Sequence, residues 1–128
     1  MSETTKVVTE DLTASAFGSG LVRAFATPAM IALMENASVN AIRQYLPPGQ
    51  TSVGVEVNVK HLAATPIGMR VRVRSTVLSA EKRRVTFQVE AWDEKERIGE
   101  GTHVRAIVDE ARFNDRIAHK GADQQPTA

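Results

Sequence analysis

Three residues whose types suit acid–base or nucleophilic chemistry stand on or beside the two clearest periodic segments of the chain: Thr27, Glu35 and His61. Placed at 100° steps along a helix that opens at Thr27, Glu35 falls between Ile42 and Leu46, inside the apolar arc. A carboxylate there has to be paired, protonated or turned toward a cavity, because burying the bare charge is costly. Two readings stand: a marginal glutamate that snorkels or makes a structural hydrogen bond, or an acid–base group. His61 closes the row Val53, Val55, Val57 and Val59; counting by twos puts it on their face if the strand has no bulge. It is either a satisfied core histidine or the wall of a pocket opposite Glu35. Thr27 reads as an N-cap whose hydroxyl accepts from the first helical N–H groups. The same position, at the positive end of a helix, suits a polarised carbonyl.

Other residues carry weaker signals. Gly54 interrupts its strand, as a glycine does at a bulge or where a ligand meets the backbone. Arg105 shares a strand face with Gly99, Gly101, His103 and Ile107, among small residues, and suits a phosphate or a partner subunit. Arg70, Arg72 and Arg74 read as a solvated row laced with glutamates of a neighbouring strand. His103 and His119 have no evident partner and read as structural or exposed. The three histidines are scattered, there is no cysteine, and phosphate-loop, dinucleotide, nucleophile-elbow and HExxH motifs are lacking, so neither metal nor thiolate chemistry is expected.

The elements that position these residues follow from punctuation and period. Residues 6–9 suit a short strand, and Asp11 to Gly20 an irregular connection. Thr27-Pro28 opens a helix, and Pro47-Pro48-Gly49 stops it near Leu46. Its polar stripe is narrow (Asn36, Asn40, Arg43, Gln44), so it is covered on most sides. Ile31, Leu33 and Tyr45 belong to its apolar arc. Four period-two strands follow, joined by short loops that imply antiparallel neighbours. One buried helix against one antiparallel sheet of about five strands is an α+β hotdog arrangement. Its open edge and face lead to the expectation of a homodimer.

The chain has 128 residues, a net charge of +1 and 42% hydrophobic residues, which suit one globular domain and speak against a nucleic-acid binder. That domain is expected over residues 1–120, with 121–128 a disordered tail. A polar amino terminus and the lack of a membrane-length apolar run lead to the expectation of a cytoplasmic protein without a membrane partner.

The stretches FATPAMIALMENASVNAIRQYLPPG, SVGVEVNVKHLAATPIGMRVRV and EKERIGEGTHVRAIVD resemble the fluoroacetyl-CoA thioesterase-like family of hotdog proteins, across about Phe25 to Asp109. The resemblance implies hydrolysis of a small acyl-CoA to carboxylate and CoA, with the thioester as substrate and no further cofactor. It also implies a catalytic set of Thr27, Glu35 and His61, a pocket glycine at Gly54 and a CoA-site arginine at Arg105. In hotdog dimers the pocket usually lies between protomers. The segment AFGSGLVRAFAT is poorer in aromatic residues than the family's lid, so the resemblance does not extend to the acyl group. A hotdog hydratase or dehydratase and a non-catalytic acyl-CoA-binding module are the alternatives.

Overall fold

The computed structural model describes residues 1–122. Five strands form one antiparallel sheet: β1 (Ser2–Val7), β2 (Gln50–His61), β3 (Arg70–Glu81), β4 (Arg84–Trp92) and β5 (Arg97–Asp109), in the order β1-β3-β4-β5-β2. Helix α2 (Thr27–Ile42) packs on one face of this sheet, preceded by the single turn α1 (Ala14–Phe17) and followed at the carboxyl end by α3 (Glu110–Ala122). The architecture is the α+β hotdog arrangement that the periodicity implies.

The core follows from the two periods. Met30, Met34, Ala37 and Ala41 recur at helical spacing and are buried, and they face Val71, Val73, Phe87 and Val89, which recur at every second position of β3 and β4. Ser75 continues the inward row of β3, and its hydroxyl lies 2.7 Å from that of Ser38, which also donates to the Met34 carbonyl at 2.8 Å. Two buried hydroxyls are thereby satisfied by each other and by the helix backbone. The alternate residues of β3 point outward. Arg72 and Arg74 pair with Glu3 of β1 at 3.6 and 2.9 Å and lie over the Trp92 ring at 4.5 and 5.2 Å. The arginine row is thus a solvated face, each exposed pair contributing about 1 kcal/mol at most.

Several boundaries differ from expectation for physical reasons. The first strand lies earlier than residues 6–9, because its pairing with β3 runs from Ser2↔Ser75 to Val7↔Arg70. β2 and β3 are not neighbours: β2 pairs with β5, and the residues between β2 and β3 carry the chain to the other side of the sheet. The α-helix stops at Ile42 and tightens into a 3-10 turn at Arg43–Tyr45. That change of pitch takes Tyr45 off the apolar arc and leaves it 74% exposed. The connection before α2 is less irregular than expected, since Thr13 caps α1 by accepting from the Ala16 N–H at 3.3 Å, and Gly18 ends it in the left-handed region. Helix α3 was not anticipated. Asp109 caps it by accepting from the Arg112 N–H at 3.1 Å, with Glu110 in its first turn and His119 and Lys120 in its last. Of the tail expected from Gly121, Gly121 and Ala122 close α3, and the rest lies outside the described residues. Among the described residues no helix is long and apolar enough to cross a membrane.

Close approach of β5 to its neighbours needs glycine at two places. A methyl at Gly99 would stand 2.5 Å from the Met30 sulfur, and one at Gly101 would press on the Asn58 carbonyl and lie 2.6 Å from Val59 Cα. The second obstacle is backbone and cannot step aside. Gly101→Ala is therefore expected to destabilise the protein by about 1–3 kcal/mol, the usual cost of overpacking. Urea unfolding checks this: the midpoint falls, whereas an unchanged midpoint contradicts the close β2–β5 contact.

Candidate active site

The site is built on an irregularity in β2. Gly54 lies opposite Arg105 and Glu56 opposite Val104, so Val55 is an extra residue, a β-bulge. Residues directly opposite one another share a face, so Val57 and His61 lie on the side of His103 and Gly99, while Val53, opposite Ala106, lies on the other side. The expectation that His61 shares a face with all four valines is thereby corrected, since the bulge breaks the count of two. Its consequence is chemical. Gly54 and His61 are an odd number of residues apart, and only the extra residue lets both face α2.

Two loop contacts bring Thr27 and His61 together. The Phe25 N–H donates to the Thr65 carbonyl at 2.9 Å, and the Leu62 N–H donates to the Ile98 carbonyl at 2.7 Å. Buried Thr65 is itself held by its hydroxyl donating to Asp93 Oδ2 at 2.8 Å. The turn after β2 is in this way tied to both the start of α2 and β5. Thr27 Oγ1 then lies 2.7 Å from His61 Nδ1. Ala26, not Thr27, occupies the N-cap, and no side chain caps that end. The hydroxyl is free of the capping duty expected for it. The His61 ring meets Phe25 edge-on at 6.3 Å, and its Nε2 is buried with no partner among the described residues. Burial pushes the His61 pKa below the ordinary 6.5, with a backbone contact at Ala63 opposing it. A neutral imidazole against a hydroxyl has the geometry and the charge state that a nucleophile–base pair requires.

Glu35 belongs to a second cluster. Its Oε2 lies 3.5 Å from Arg105 Nη1, and a methyl on Gly54 would stand 2.9 Å from that same oxygen. The Arg105 side chain is only 8% exposed, against 42% for Glu35. Its Nε donates to Ser52 Oγ at 2.8 Å and its Nη2 to the Ser52 carbonyl at 2.9 Å. Nη1 also lies 3.2 Å from His103 Nε2. Burial lowers the Arg105 pKa from its ordinary value, with the Glu35 charge opposing. Glu35 thus satisfies the rule that an inward carboxylate is paired, and its partner is Arg105 rather than His61. Helical rise separates Thr27 from Glu35 by about 12 Å. One chain brings Thr27 and His61 together, and Glu35, Gly54 and Arg105 together, but keeps the two groups apart.

His103 and Ser52 were not expected at a site. His103 lies two residues from Arg105 on one strand, a spacing visible in the sequence, whereas Ser52 is signalled only once β2 is paired with β5. A pocket of about 380 Å³ opens at the Thr27–His61 pair, walled by Val22, Phe25, Leu62 and Ala63. A hollow of about 430 Å³ on the outer sheet face, lined by Lys60, Gln88, Arg97 and Glu100, contains no nucleophile–base pair.

Known proteins arrange the same elements. Residues 8–111 match the family described as FlK: Fluoroacetyl-CoA-specific thioesterase. The fluoroacetyl-CoA thioesterase of Streptantibioticus cattleyicolor is 44% identical over 96 residues, covering 75% of this chain and 69% of that protein. A crystal structure of a phenylalanine-to-alanine variant of the fluoroacetyl-CoA-specific thioesterase FlK, in complex with fluoroacetate and CoA, superposes with a TM-score of 0.88 at 36% identity, over 92% of this chain and 97% of that one. A Thermus thermophilus thioesterase superfamily member superposes with a TM-score of 0.87 at 29% identity, over 96% and 93% of the two chains. The chain belongs to the fluoroacetyl-CoA-specific thioesterase family, thioester hydrolases of the hotdog fold.

Proposed function

We propose that this protein hydrolyses a small acyl-CoA to a carboxylate and CoA, with Thr27 and His61 as the reacting pair and Glu35 as their charge partner. The observation that carries the reading is the 2.7 Å contact between the Thr27 hydroxyl and His61 Nδ1 at the wall of an apolar-sided pocket. Family membership supplies the bond that is broken. His61 takes the proton of the attacking hydroxyl and returns a proton to the departing CoA sulfur. If water attacks, the carboxylate is released at once; if Thr27 attacks, a water activated by the same imidazole then hydrolyses the acyl-Thr27 ester to carboxylate and free hydroxyl. The start of α2 stabilises the oxyanion as the carbonyl becomes tetrahedral. The CoA ester enters as substrate, and the proposal needs no other cofactor.

A second copy of the chain completes this arrangement. β2 is an edge strand of 12 residues whose Val55 and Val57 are 44% and 42% exposed. A long apolar edge of this kind calls for pairing. Two β2 edges related by a two-fold axis near Val57 run antiparallel, and His61 of one copy then approaches Gly54 and Glu35 of the other. The half-exposed carboxylate balances the imidazolium that forms across the interface. In this homodimer Arg105 orients Glu35 from below. A cytoplasmic location belongs to the same proposal.

Release of free thiol from acetyl- to hexanoyl-CoA tests the reading. Wild type is expected to exceed buffer, and His61→Ala to lose about a hundredfold or more, the usual contribution of a positioned base. Thiol release no faster than buffer refutes the activity, and crotonyl-CoA hydration in its place assigns a hydratase. The pH dependence has a definite sign. Burial within one chain disfavours charged His61, so stability of the isolated chain falls as pH drops from 6.5 through the lowered folded value. Stability that does not fall over that range contradicts a desolvated His61. Gly54→Ala places a methyl against Glu35 and is expected to lower kcat about tenfold or more while the thermal midpoint moves little, since a small misplacement at a site is amplified in rate. Unchanged kcat contradicts the role of Glu35.

A further inference from the structure

The hydrogen bonds around His103 leave it one protonation pattern. His103 is 1% exposed, and its Nδ1 lies 2.8 Å from the Glu56 carbonyl. A carbonyl only accepts, so Nδ1 carries the hydrogen. Nε2 lies 3.2 Å from Arg105 Nη1, and a guanidinium only donates, so Nε2 presents its lone pair. The neighbours therefore select the neutral Nδ1–H form. The ring is held in plane by Phe87, stacked at 6.1 Å and 26°.

We propose that His103 is a positioning residue that aims Glu35. Arg105 Nη1 reaches both His103 Nε2 and Glu35 Oε2, while Nε and Nη2 are occupied by Ser52. The guanidinium is thus gripped on three sides, and the fourth meets the carboxylate. Glu56 is the first residue after the extra Val55, so its carbonyl direction is set by the bulge. A continuous chain of contacts runs from the β2 backbone through His103 and Arg105 to the Glu35 oxygen. An arginine deprived of the histidine acceptor keeps its charge but loses one of the bonds that fix its plane, and the carboxylate loses its aim. Glu35 is 42% exposed at its side chain, so packing alone holds it only in part.

The inference rests on the reading that Glu35 serves thioester hydrolysis, and the tests separate the two. His103→Asn keeps a donor at the position of Nδ1 for the Glu56 carbonyl, but its oxygen is too short to take the place of Nε2 against Arg105, whereas His103→Gln extends an acceptor that far. His103→Asn is expected to lower kcat roughly tenfold to a hundredfold, the usual cost of losing an outer partner of a functional group, with KM changing less than about threefold. His103→Gln restores most of kcat. In a Glu35→Gln background His103→Asn adds no further loss, because it acts through that carboxylate. Full kcat in His103→Asn, or a loss that multiplies with Glu35→Gln, overturns the proposal. Nitrogen-15 NMR of the wild-type histidines reads the ring without any variant: a single Nδ1–H form at His103 is expected, and an Nε2–H or doubly protonated ring overturns it. A wild type without thiol release refutes the role of Glu35 in hydrolysis, while the NMR result still decides the His103 tautomer.

Discussion

The extra residue in β2 sets the parity of every side chain at the site. Period two is rigid in a strand, so a single insertion exchanges the faces of all that follows it. With Val55 unpaired, Gly54 and His61 both turn toward α2. Gly54 then makes room for Glu35 against His103 and Arg105, and His61 meets the start of the helix at Thr27. A regular strand would send one of the two outward. The Glu56 carbonyl, next to the bulge, is also the anchor of His103. The irregularity is in this sense the foundation of both clusters.

Those clusters differ in their electrostatics. Thr27 and His61 form a neutral pair, in which burial disfavours the charged imidazole and keeps it a base. Glu35 and Arg105 form a charged pair whose buried member is the arginine. Such a pair is weak evidence for stability, since desolvation offsets much of the attraction, and the proposed stabilisation of developing positive charge is a better reason to keep a carboxylate there. The carboxylate is more exposed than the arginine and lies toward the open edge of the sheet, where the proposed second copy docks. In the proposed reaction, proton transfer to His61 creates a cation, and a fixed anion beside it lowers the barrier only if it is already oriented when the charge appears.

Much of this arrangement is legible in the residues. The Thr-Pro start of α2, the inward rows of β3 and β4, the wheel position of Glu35 and the terminal place of His61 all follow from local rules. The unreadable parts depend on pairing rather than on period. Nothing in SVGVEVNVKH marks Val55 as the extra residue, because Gly54 suits a bulge, a close approach or both. Thr27 looks like a cap from its type, and only the turn held by Thr65 and Asp93 shows that its hydroxyl faces a histidine. Tyr45 left the apolar arc through a change of helix pitch that its neighbours do not announce. Helix α3 did carry signals, in the Asp109 cap and in basic residues at its end, but it buries no residue within the chain.

The central claim is that one working site draws Thr27 and His61 from one copy and Glu35 from another. Mixing subunits tests it most directly: a His61→Ala chain and a Glu35→Gln chain, each with only a small residual activity alone, are unfolded together and refolded as a mixture. Random pairing gives half mixed dimers with one intact site each, so the account predicts recovery to about one quarter of wild-type thiol release. A mixture as inactive as either variant alone would contradict a site shared between subunits and place all three residues in the service of a single chain.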